Sequence, residues 1–101
     1  KTTCQILLFL FIQSSLLAQQ YYLRGDVKDE SGNALQNVTI LSLRTGYVYK
    51  SGSQGSFGIL LNHQLDTFDF SLEGYKPQRV VADAGRYLNV KMKVLPTAFS
   101  N

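Results

Sequence analysis

Between Leu65 and Tyr75 the chain alternates with a period of two, Phe68, Phe70 and Leu72 against Thr67, Asp69, Ser71 and Glu73. Successive side chains of a strand point to opposite faces, so the pattern predicts a strand with one dry and one wet face. Gly74 ends the run where the chain can take a positive φ without steric cost, and Tyr75 adds a large ring just beyond it. Two phenylalanines on one inward face need an opposing wall, which the remaining strands have to supply. These read as short apolar runs. Tyr21 to Val27 is the first, with Leu23 and Val27 on one face, and Val38 to Leu43, rich in β-branched and aliphatic residues, is the second. Tyr47-Val48-Tyr49, Phe57 to Leu61, Phe68 to Leu72, Arg79 to Ala82 and Tyr87 to Val94 complete the set. The last of these alternates Leu88, Val90, Met92 and Val94 against Asn89, Lys91 and Lys93.

Turn chemistry separates the runs at short, even spacing. Asp29 to Asn33 is a turn cluster in which Gly32 or Asn33 can take the left-handed position, and Thr45-Gly46, Ser51 to Gly55 and Asp83 to Gly85 are others. Pro77 interrupts before Arg79. Seven short strands with this punctuation, and no helical periodicity after residue 20, predict an all-β sandwich or small barrel.

The first twenty residues stand outside that pattern. Lys1-Thr2-Thr3 is a short basic start, Ile6 to Ile12 is an unbroken apolar run, and Ser14, Ser15 and Ala18 are small residues near a plausible cut after Ala18. This is the layout of a secretory signal peptide over residues 1–20. A membrane anchor would need about 20 apolar residues, and Gln13, Ser14 and Ser15 stop the run well short of that. No membrane span is therefore expected once the signal is removed. Cys4 is the sole cysteine and lies inside the signal, so the mature part can form no disulfide and must be held by its core. Lys1 is the only charged residue of the first twenty, so its removal lowers the net charge from +3 to +2. A surplus that small and scattered does not point to a nucleic-acid partner.

The order of the punctuating residues resembles a known family. Val27-x-Asp29-x-x-Gly32-x-x-Leu35-x-x-Val38-x-Ile40 resembles the opening of the carboxypeptidase regulatory-like domain. Ser51-x-x-x-Gly55-x-Phe57 and Phe70-Ser71-x-x-Gly74-Tyr75 are similar to its second and third signatures, and Leu88 to Leu95 to its closing strand. The resemblance covers residues 21–95 and implies a seven-stranded antiparallel Greek-key β-sandwich of the immunoglobulin/transthyretin-like kind. It also implies an exported protein of the bacterial cell envelope, periplasmic or associated with the outer membrane. There the domain stands ahead of a von Willebrand factor A-type domain or a TonB-dependent outer-membrane receptor. Residues 96–101, with Pro96 and small polar residues, would then be a linker to a downstream domain. Where the family carries Thr-Asp before the second-signature glycine this chain has Ser53-Gln54, which weakens the case for an acidic site there.

The chemistry inventory is short. His63 is the only histidine, so no His pair exists for zinc, and with Cys4 in the signal there is no Cys–His catalysis. A Ser–His–Asp set could in principle be assembled from Ser71, His63 and Asp66, but nothing in the spacing supports it. Asp26, Asp29 and Glu30 lack the loop length and terminal Glu of an EF-hand. Arg24-Gly25-Asp26 is the adhesion tripeptide, but it falls within a predicted strand and not on a loop tip. Asn37-Val38-Thr39 matches a glycosylation acceptor, again at an expected strand position. No catalytic, cofactor or metal residue is therefore expected. Tyr47, Tyr49 and Tyr75 are the candidate partner surface, since exposed tyrosines beside glycine-rich loops can hold sugars or proteins. The reading is a non-catalytic structural or interaction module with a downstream domain or another envelope protein as partner. A glycan- or peptide-binding module is the alternative, and an enzyme ranks last.

Overall fold

The computed structural model describes residues 20–96. The expected signal peptide, apart from Gln20, and the end of the expected linker lie outside the described residues. Seven strands form in chain order: β1 (Tyr21–Asp29), β2 (Thr39–Ser42), β3 (Val48–Lys50), β4 (Ser56–Leu61), β5 (Leu65–Ser71), β6 (Gln78–Asp83) and β7 (Leu88–Met92). They make two sheets, one of three strands in the order β4-β1-β7 and one of four in the order β3-β2-β5-β6. The described chain is all-β.

Both sheets turn alternate residues into one hydrophobic cluster. From the four-stranded sheet come Phe68 and Phe70 of β5 and Ile40 of β2, each with no exposed surface. From the three-stranded sheet come Leu23 and Val27 of β1, Phe57, Ile59 and Leu61 of β4, and Val90 and Met92 of β7. Phe57 and Phe70 meet across the gap with ring centroids 5.7 Å apart and planes inclined at 56°, a tilted geometry that suits the charge distribution of aromatic rings. Gly25 sits directly opposite Phe57 in the β1–β4 register, on the inward face between Leu23 and Val27. A Cβ there would run into the Leu88 carbonyl oxygen and stand 2.6 Å from the tip of the Phe57 ring. The missing side chain is what lets the ring lie over β1.

Four expectations are corrected. The sheets are not wholly antiparallel, because β1 and β7 run parallel, from Gly25 beside Leu88 to Asp29 beside Met92. β7 is reached from β6 by a crossing between sheets, so no hairpin dictates its direction. Val94 is not an inward member of the last strand: it is 61% exposed, since β1 offers no partner beyond Asp29 and the chain leaves the sheet after Met92. Asn37 is not on a strand but precedes β2 with φ 65°, a left-handed position that asparagine tolerates better than most residues. The central strand likewise ends at Ser71, leaving Leu72 half-buried, and Gly74 takes φ 91° as its place in the sequence predicts.

Phe70→Ala should cost about 3–5 kcal/mol through the cavity it opens, measured by urea unfolding; an unchanged midpoint would remove Phe70 from the core. Gly25→Ala should destabilise by about 1–3 kcal/mol or more because a backbone oxygen cannot yield. Gly58→Ala, whose Cβ would have atoms of the movable Tyr22 side chain as its three nearest neighbours, should cost less in the same assay.

Candidate functional site

At one end of the molecule the β2–β3 turn and the β4–β5 loop come together. Gly46, with φ 79°, lets the first of these reverse tightly, and Ser42 and Tyr47 bond across it from the Ser42 amide to the Tyr47 carbonyl at 2.9 Å. Tyr47 and Tyr49 are two residues apart on an extended segment and so share a face. Tyr47 is 65% exposed, whereas Tyr49 is half-buried against the core. Together with Arg44, Leu60 and His63 they border a cleft of about 220 Å³. Its rim offers phenol rings, a guanidinium and an imidazole to one volume.

The floor of this end is a buried polar pair that the sequence reading passed over. Asp66 lies in the inward register of β5 with Phe68 and Phe70 and is 5% exposed. The Ser42 hydroxyl donates to its Oδ2 at 2.6 Å and the Thr67 amide to its Oδ1 at 2.6 Å. Ser42 Oγ in turn accepts from the Thr45 amide at 3.1 Å. The pair thus ties the β2–β3 turn to the start of β5. The available signal was the period of two itself, which places Asp66 on the dry face. Ser51 was passed over in the same way: inside an apparently polar turn cluster, it is buried, accepts from the Val38 amide at 2.9 Å and donates to the Leu35 carbonyl at 2.7 Å.

The candidate tyrosines do not form one surface. Tyr47 and Tyr49 border the cleft, whereas Tyr75 follows the far end of β5, is half-buried and bridges to Val94 without lining it; Tyr49 itself lies level with Phe70 through Ile40. Ser71 is also at the far end of β5, about 17 Å of strand from Asp66 at about 3.3 Å per residue, so the hydrolytic set is not assembled. Arg24-Gly25-Asp26 lies inside β1, the central strand of its sheet, with Gly25 buried. Arg24 and Asp26 face outward, and Asp26 accepts a 3.0 Å bond from the Tyr87 hydroxyl, which with partial desolvation holds that phenol above its ordinary range. Asp29 closes its own turn, accepting from the Ser31 and Asn33 amides at 2.9 Å each, and these bonds keep its carboxyl below the usual range. Among the described residues no group of three His, Cys, Asp or Glu side chains gathers as a metal would require. What the near end can do with the groups it has is hold a ligand, by ring stacking and by donation from Arg44 and His63.

Ser42→Ala should destabilise the domain by about 1–3 kcal/mol, since it leaves a buried carboxylate short of a donor; thermal unfolding of the variant beside the parent measures this, and no loss would mean that Asp66 reaches water.

Compared with models of known protein families, the chain matches none, and no curated protein matches it.

Proposed function

We propose that residues 21–95 are a carboxypeptidase regulatory-like Greek-key sandwich of the transthyretin-like kind. In this reading it serves as a non-catalytic interaction module of an exported bacterial envelope protein, packed on or tethered to a downstream domain. The observation that carries the reading is that the residues bearing the resemblance have structural work at the positions where it puts them. Gly32, Gly55 and Gly74 each take a positive φ, of 89°, 75° and 91°. At Gly55 there is no room for a side chain either, since a Cβ would stand 2.5 Å from the Val27 carbonyl oxygen. Phe57 and Phe70 are the rings in contact between the sheets. The connections β1–β2, β3–β4, β4–β5 and β6–β7 cross from sheet to sheet, as Greek-key sandwiches require, which supports the finer topology. No helix among the described residues is long and apolar enough to cross a membrane.

A second reading, a glycan- or peptide-binding module, draws on the cleft beside Tyr47 and Tyr49. One comparison separates the two. In the longer envelope protein the amide resonances of residues 21–95 should shift, relative to this chain alone, over one contiguous surface. Glycan and peptide arrays probed with this chain should give no signal. Identical spectra would sink the scaffold reading, and array binding abolished by Tyr47→Ala with the fold intact would replace it with the second.

A further inference from the structure

β6 closes one side of the four-stranded sheet, with β5 as its only hydrogen-bonded neighbour strand among the described residues. Two bonds outside the strand ladders fix which of its backbone groups are spare. The Ala84 amide donates to the Gln64 carbonyl at 2.9 Å, in register with the β5–β6 ladder. Bonded and non-bonded pairs alternate along antiparallel strands. Gln78, Val80 and Ala82 therefore turn their amides and carbonyls toward β5, and Arg79, Val81 and Asp83 turn theirs away. The opposite side of β5 gives the same phase, since the carbonyl of Thr67, which faces Val81, accepts from the Leu43 amide at 2.9 Å. Of the outward groups, the Asp83 carbonyl already accepts from the Arg86 amide.

The remaining edges are short or blunted. β3 has three residues and includes Lys50, β7 carries Lys91 with Lys93 behind it, and β4 has Gly58 in its middle, which offers an incoming strand no side chain to pack on. β6 contains no Lys, Gly or Pro, and its central outward side chain, Val81, is 69% exposed. Beside it on the same face Leu65 is 53% exposed.

The sequence of β6 is complementary to itself in one register. An incoming antiparallel copy must set its own outward residues against Arg79, Val81 and Asp83 for the spare groups to bond. Arg79 opposite Arg79 would juxtapose like charges, and Asp83 opposite Val81 would set a carboxylate on a valine. With Val81 opposite its own copy, Arg79 meets Asp83 twice, once on each side of a Val81–Val81 contact. Arg79 holds Asp69 through Nε and one terminal nitrogen, at 2.7 and 3.0 Å, so its other terminal nitrogen remains to reach across. On the inner face the same register lays Ala82 of the incoming strand over Val80, which is only half-buried.

We propose that β6 pairs antiparallel with β6 of a second copy of this chain, about a two-fold axis through Val81, joining two four-stranded sheets into one continuous sheet. Such an interface presents the same patch from both copies and closes at the dimer. This self-association goes beyond the scaffold role above and does not depend on it.

Sedimentation of the full chain tests it, with disulfide crosslinking in a Cys4→Ser background. The parent should show a monomer–dimer equilibrium, and Val81→Lys, which places two lysines face to face, should lose the dimer. Val81 points outward, so that variant should keep the melting temperature of the dilute, monomeric parent. Val81→Cys should crosslink to a dimer under mild oxidation, while Leu60→Cys, equally exposed on the other sheet, should not. A parent that stays monomeric at every concentration, a dimer that survives Val81→Lys, or equal crosslinking through both cysteines would each overturn the proposal.

Discussion

The contact on which the structure depends is the Phe57 ring lying over the bare backbone of Gly25 and meeting Phe70 from the opposite sheet. It brings together the three elements that the rest of the molecule hangs on: β1 at the centre of one sheet, β4 at its edge, and β5 in the middle of the other. A chain of this length without disulfides relies on its buried core to fix one sheet on the other, and this contact lies at the centre of it. The ring gap and the glycine are a matched pair, since a side chain at residue 25 would displace the ring and also press on the Leu88 carbonyl, at the start of the β1–β7 pairing.

Around that core the polar groups are used as fasteners. Ser51 joins the stretch before β2 to the stretch after β3, and Ser42 with Asp66 joins the β2–β3 turn to β5. Both sets sit where a crossing connection meets a sheet, where the ladders alone would leave amides and carbonyls without partners. Asp29 and Asp83 do the same at exposed turns, the latter accepting from the Gly85 amide at 2.9 Å and the Gln64 side chain at 3.0 Å. The near end is consequently tied together beneath Tyr47 and open above it.

Much of this was legible in the sequence because one dry face per strand imposes a period of two. Phe68 and Phe70 could be placed inward from that period alone, and Gly74 could be read as a stop. The period carries no information about which strand lies beside which. The parallel pairing of β1 with β7 joins residues far apart along the chain and is decided by the crossings between sheets, so it could not be read. Tyr47 and Tyr49 share a face because they are two residues apart, a local fact. That Tyr75 bridges to Val94 and does not border their cleft depends on pairing between distant parts of the chain, which is not local. Asp66 and Ser51 are not found this way because nothing local shows that a distant hydroxyl or carbonyl, Ser42 for the one and Leu35 for the other, is there to pair a polar group that the fold buries.

The parallel alignment of the first and last strands has a mechanical consequence. β1 begins beside the Tyr47 end and β7 finishes beside Tyr75, so the described chain enters at one pole and departs at the other. Tension applied between those poles acts along both strands in opposite senses, and the bonds between them are loaded together in shear instead of being opened one after another. A module threaded in this way resists stretching as a unit.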